Sequence, residues 1–323
     1  MHTHGGDRHH AAQRAGCSPA EILDFSATIN PLGPPPGVLD AARAALSEAT
    51  HYPHAEPLRA ALAARLGLDV VIGNGATELL YAAMIGTRHV WAPSPSRLGY
   101  ATAAKAAGAH LVGDMFGADV LIFGRPNDPD GHIPDADEIV EIARAWPACR
   151  VVVDESFLAL TDAASCLAAE PPPNLWVVTS MSNAYAIPGL RLGWIAGQDV
   201  SAVRAYLPPG TVSTPALAAG QVCLERDDWV RGCARQLAGW RDALREGLSA
   251  LPGVEAVTGS ANLLLVTLRT ARADAVCRAL VAQDRILIRD ASGFRGLGEQ
   301  HVRVAVRRPE DNARLIQALG TVV

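Results

Sequence analysis

Up to about residue 200 the chain alternates short, almost wholly apolar runs with stretches of helical periodicity, and this alternation restricts the folds open to it more than any other feature. Asp69-Val70-Val71-Ile72, His89-Val90-Trp91, Val120-Leu121-Ile122-Phe123-Gly124, Arg150-Val151-Val152-Val153-Asp154 and Leu175-Trp176-Val177-Val178 are too short for packed helices. They read instead as strands of a sheet covered on both faces. Between them, Val38 to Leu46, Pro57 to Leu66, Gly75 to Met84, Ala101 to Gly108 and Asp135 to Ala145 carry the helical pattern. The expectation is an α/β fold: a three-layer αβα large domain with a mixed, mostly parallel sheet.

From Ser201 the pattern changes to a long helical region, Pro215 to Leu251. Strands follow at Val254–Thr258, Asn262–Leu268, Ile286–Arg289 and Val302–Val306, with helices at Ala271–Gln283 and Pro309–Leu319, which reads as a small C-terminal α+β domain. The expected division is an N-terminal arm (1–36, with one short helix) that packs with the small domain and the site, a large domain (37–205) and a small domain (206–323). With 323 residues, 49% of them hydrophobic, the chain can build both cores without staples.

A net charge of −5 offers no basic field to nucleic acid or to an anionic membrane, and no run of 18 apolar residues reads as a membrane span. No basic segment leads into an apolar one at the start, so a cytoplasmic location is expected. Cys17, Cys149, Cys166, Cys223, Cys233 and Cys277 form no Cys-x-x-Cys pair and read as small buried hydrophobes. His2, His4, His9 and His10 crowd a terminus without a ligand pattern, so no metal is expected.

Three stretches carry chemistry. Gly73-Asn74-Gly75-Ala76-Thr77-Glu78 is a glycine turn opening a helix, where unpaired backbone N–H groups and the helix dipole favour an anion. Asp154 is a carboxylate at a strand end. Arg303 stands inside the apolar strand His301-Val302-Arg303-Val304, where a buried charge is costly unless it is paired, so it reads as functional.

The segment Thr179-Ser180-Met181-Ser182-Asn183-Ala184-Tyr185-Ala186-Ile187-Pro188-Gly189-Leu190-Arg191-Leu192-Gly193-Trp194 resembles that of fold-type I pyridoxal phosphate (PLP) enzymes, in which Ser-x-Ser-Lys precedes Gly-Leu-Arg-x-Gly. The resemblance implies a homodimer and a phosphate cup of Gly75, Ala76, Thr77, Ser180, Ser182 and Arg191, with Tyr52 reaching the cofactor phosphate of the dimer mate. It assigns Asp154 to the pyridinium nitrogen and Asp128, in Arg125-Pro126-Asn127-Asp128-Pro129-Asp130-Gly131, to the position of an asparagine that donates to the cofactor phenolate. Pro95, in Pro93-Ser94-Pro95, falls at the position of an aromatic that stacks on the ring. The Schiff-base lysine position is Asn183, whose amide nitrogen has no nucleophilic lone pair with which to form an aldimine. The sole lysine in the sequence, Lys105, reads as a surface residue.

Within that family, His4-Gly5-Gly6-Asp7, the Asn30-Pro31-Leu32-Gly33 segment and the stretches around Arg289 and Arg303 resemble the threonine-phosphate decarboxylases of cobalamin biosynthesis. The resemblance makes His4, Asn30, Arg289 and Arg303 substrate-binding residues, with Arg303 on the substrate carboxylate. Three functions are compatible: a decarboxylase-like protein binding a phosphorylated amino acid with PLP catalysis impaired or lost, a non-catalytic binding or scaffold protein for a phosphorylated ligand, and an aminotransferase-like protein using pyridoxamine phosphate. PLP, by resemblance, is held non-covalently at most.

Overall fold

The computed structural model of the chain describes residues 5–168 and 170–323. Its strands, in chain order, are β1 (Leu23–Asp24), β2 (Asp69–Gly73), β3 (His89–Trp91), β4 (His110–Val112), β5 (Val120–Gly124), β6 (Arg150–Asp154), β7 (Leu175–Ser180), β8 (Gly193–Gly197), β9 (Val254–Ser260), β10 (Leu263–Leu268), β11 (Ile286–Leu287), β12 (Arg289–Asp290) and β13 (His301–Ala305). The α-helices are α1 (Arg8–Ala15), α2 (Val38–Ala44), α3 (Glu56–Leu66), α4 (Gly75–Met84), α5 (Leu98–Ala106), α6 (Ala136–Ala145), α7 (Met181–Ala184), α8 (Ser201–Tyr206), α9 (Thr214–Leu224), α10 (Asp227–Ser249), α11 (Ala273–Asp284) and α12 (Pro309–Val322).

A seven-stranded sheet in the order β2-β8-β7-β6-β5-β3-β4 forms the centre, and β8 alone runs against its neighbours. Side chains alternate across each strand, so a strand apolar at every position feeds two cores at once. Val71, Val90, Val120, Ile122, Val152 and Val178 face α4, α5 and α8. Leu121, Phe123, Val151, Val153 and Val177 face α6, where Ile139, Val140 and Ala143 recur at helical spacing. Towards β2 that second layer is completed by α2, α3 and α9 over Val70, Ile72 and Ala196. This is the expected three-layer arrangement with a mixed, mostly parallel sheet.

The C-terminal part builds an antiparallel sheet, β12-β13-β10-β9, packed on α10, α11 and α12. The arm is woven into it: β1 pairs in parallel with β11, Phe25 is fully buried in that core, and the Ala305 N–H donates to the Phe25 carbonyl (2.8 Å). Packing departs from the expected division at one place. Although α9 lies beyond residue 205, its Ala216, Leu217 and Cys223 pack with Val38, Leu58 and Leu62, in the layer of the large sheet. Among the described residues, no helix is long and apolar enough to cross a membrane, and no group of three or more His, Cys, Asp or Glu is placed to hold a metal.

Candidate active site

The carboxyl ends of β2, β5, β6 and β7 open on a cavity of about 380 Å³, closed on its far side by the arm at Gly5, Gly6 and Ser26–Ile29 and by Arg289, Phe294 and Arg303 of the small domain. Ligands of open α/β sheets gather at such strand ends.

One end of the cavity is an anion cup. The Asn74–Gly75 turn requires φ +76° at Gly75, and it delivers the N-terminus of α4, with Ala76 and Thr77, into the cavity. Ser180 caps α7, its Oγ accepting from Ser182 N (3.1 Å), and Ser180 and Ser182 both line the cavity. Arg191, in the left-handed region at φ 54°, donates to Pro188 O (3.2 Å) and Ser182 Oγ (3.4 Å); neither neutralises its charge. The pieces are tightly fitted. A Cβ on Gly75 would stand 2.8 Å from Arg191 Nη2, and one on Gly193 would stand 2.8 Å from Ala76 N.

Asn183 lines the cavity beside the cup. Its carbonyl accepts from Asn30 N (3.0 Å), and Asn30 Nδ2 donates to Ala184 O (3.0 Å). Asn30, expected to touch a substrate, is therefore buried behind α7 and braces it from below; the cavity is lined by its neighbours Thr28 and Ile29.

Held by the cavity-lining residues Arg97 and Ser156, Asp154 is 4% exposed and both its oxygens are engaged. Arg97 Nη1 and Tyr100 OH donate to Oδ2, each at 3.1 Å, while Ser156 donates to Oδ1 through its backbone N–H (3.1 Å) and its hydroxyl. Burial weighs against charge on Arg97, but Asp154, Tyr100 and Asp128 together outweigh it and its pKa moves up; burial, then Asp154, holds the Tyr100 phenol protonated well above its ordinary range. Sequence reasoning placed Pro95 at the stacking position. Pro95 instead offers its carbonyl to Asn127 Nδ2 (2.9 Å), and the side chain in the cavity is Arg97. Tyr100 and Ser156 had no sequence signal of their own.

Arg303 Nη1 donates to Asp128 Oδ1 (2.6 Å) and Nη2 donates to Ser26 O (2.5 Å). The buried strand arginine is thus paired, as its cost demands, and the partner is Asp128. Arg289 lies over the Phe294 ring at 5.6 Å; burial, then the like charge of Arg303, lowers its pKa. The cavity accordingly collects Ala76 and Thr77 at the start of Gly75's helix, Asp128, Ser156, Ser180, Ser182, Asn183, Arg191, Arg289 and Arg303, with Asp154 held by the lining residues Arg97 and Ser156, whereas Tyr52 stands away from it at 95% exposure. His4 lies outside the described residues.

The chain is similar in sequence and in fold to known proteins. The threonine-phosphate decarboxylase of Salmonella typhimurium is 32% identical over 99% of this chain and 96% of its own length. The solved structure of L-threonine-O-3-phosphate decarboxylase from Porphyromonas gingivalis superimposes with a TM-score of 0.85 at 29% identity, covering 93% of this chain and 99% of the other. The fold is also that of histidinol-phosphate aminotransferase from Sinorhizobium meliloti in complex with pyridoxal-5'-phosphate (TM-score 0.86, 22% identity, 98% of this chain and 94% of that one). The family model for aminotransferase class I and II matches residues 112–319, from β4 to the last turns of α12. By sequence and fold, this chain belongs to the aminotransferase class I and II family.

Proposed function

We propose that the chain is a threonine-phosphate decarboxylase-like protein of cobalamin biosynthesis that binds a small phosphorylated ligand of the amino acid or amino alcohol type and has lost PLP catalysis. The observation that carries this reading is the retention of a complete anion cup next to Asn183. Helix N–H groups, two hydroxyls and one uncompensated guanidinium suit a phosphate monoester, which takes several charge-assisted hydrogen bonds from such a set.

PLP, which the family implies, does not fit the residues present. Position 183 offers an amide where the chemistry needs an amine. Asp128, at the phenolate position, presents a carboxylate already held by Arg303. Asp154 has its acceptor sites filled by this chain's own donors, since a carboxylate offers about four lone-pair sites and four donors occupy them. No catalytic step is therefore derived through the cofactor. The residues bind and orient: the cup fixes the phosphate, and Thr28, Arg289 and the Asp128–Arg303 pair face the remainder of the ligand.

The test is calorimetric titration with O-phosphothreonine, threonine and inorganic phosphate, alongside an assay for carbon dioxide release with PLP added. Saturable binding of the two phosphate-bearing ligands, none of threonine, and no sustained release are expected. Sustained decarboxylation would overturn the loss of catalysis, and equal binding of threonine would overturn the role of the cup.

A further inference from the structure

We propose that Arg97 is the specificity-determining residue of this pocket: its guanidinium, lining the cavity and seated on Asp154, takes up the space and the acceptor that a ring would use, so that the pocket admits compact aliphatic phosphomonoesters and rejects ligands carrying a planar aromatic ring, PLP included. The phosphomonoester half rests on the cup reading above; the exclusion of the ring stands on separate observations.

Arg97 directly precedes α5, and its side chain runs over Gly99, where a Cβ would stand 3.4 Å from Nε. The guanidinium then meets Asp154 Oδ2 at 3.1 Å, with Tyr100 OH on the same oxygen and Ser156 on the other. A bound ring here would need an acceptor for any ring N–H, and both oxygens of Asp154 are already taken by Arg97, Tyr100 and Ser156. Swinging Arg97 aside would leave a carboxylate 4% exposed without its cation.

The charges along the cavity reinforce this. Arg97 is matched by Asp154 and Arg303 by Asp128, whereas Arg191 meets only a hydroxyl and a carbonyl. A phosphate at the cup meets the charge of Arg191. Arg97 and Arg303 are already paired with carboxylates, and a short aliphatic substituent displaces neither ion pair.

The experiment compares the full-length protein with its Arg97→Phe, Asn183→Lys and doubly substituted forms, titrated with glycerol 3-phosphate and with PLP by calorimetry and absorbance. Arg97→Ala serves in place of Arg97→Phe if the larger side chain prevents folding. The native protein should bind glycerol 3-phosphate and bind PLP at least tenfold more weakly than the Arg97→Phe form does, with glycerol 3-phosphate affinity changing less than threefold between them. Asn183→Lys alone should gain no visible aldimine band. The double variant should gain one, traced after borohydride reduction to position 183 rather than to Lys105. An aldimine at 183 without the Arg97 substitution, or equal PLP affinity in native and Arg97→Phe proteins, overturns the gating role while leaving the cup reading in place. Failure of every form to bind glycerol 3-phosphate overturns the cup reading and the phosphomonoester half of the proposal, while the PLP comparison still decides the exclusion of the ring.

Discussion

At the scale of single residues, the cup is held by contacts that leave no slack. Gly75 occupies φ +76°, where a side chain is strained, and its missing Cβ is what lets Arg191 Nη2 approach. Gly75→Ala removes no polar group, yet it should push the guanidinium out of the cup and weaken phosphate binding at least tenfold. Arg191→Ala removes the charge itself and should cost roughly 1.5–3 kcal/mol of binding, the range for a hydrogen bond to a charged group. Titration with inorganic phosphate ranks the two; unchanged affinity in Gly75→Ala would show that the close approach is incidental. The cup was legible in the sequence because a phosphate site built on backbone N–H groups demands particular residue types at particular turns. Arg97 was not, because no motif marks it and only the fold brings its guanidinium onto Asp154.

At the scale of elements, α7 is a single turn carrying Ser182 and Asn183, far too short to be stable on its own. It is held by the Ser180 cap at one end and by Asn30 at the other, through the 3.0 Å bonds to the Asn183 and Ala184 carbonyls. Asn30 Oδ1 also accepts from Leu32 N (3.0 Å), so one side chain ties the arm to the turn that bears the site. Asn30→Ala should leave the buried Ala184 carbonyl and Leu32 N–H without this partner, costing roughly 1–3 kcal/mol in urea unfolding, with a parallel loss of phosphate affinity as α7 loosens. A stability loss with unchanged affinity would return Asn30 to a purely scaffolding role; an affinity loss with full stability would restore it to the ligand site. Sequence reasoning found this residue by motif but assigned it to the ligand, since a motif marks a position and carries no information about which way the side chain faces. It also missed β4, three residues at the sheet edge with one half-apolar face.

At the scale of the molecule, the alternation of apolar runs and helical periodicity decided the three-layer core, since strands buried on both faces leave little alternative. What it did not decide was where chain segments cross between cores, as α9 and the arm do. Those crossings depend on long-range contacts that no local pattern encodes. The same limit applies to assembly. Tyr52 is 95% exposed in the single chain, and Leu46, six residues before it, is 61% exposed; both lie between α2 and α3 on the large domain. An aromatic ring in water contributes nothing to the fold it sits on, and its apolar area, buried against a second copy, would stabilise association. We therefore expect a homodimer in which Tyr52 of one copy reaches towards the cup of the other. Sedimentation equilibrium should give about twice the 33.9 kDa chain mass. Tyr52→Ala should weaken inorganic phosphate binding without lowering the unfolding midpoint of the subunit, because the lost contact belongs to the partner's cup rather than to the tyrosine's own domain. If the native protein sediments at the mass of one chain, the cup works with the residues of a single subunit, and Tyr52→Ala should then leave phosphate affinity where it was.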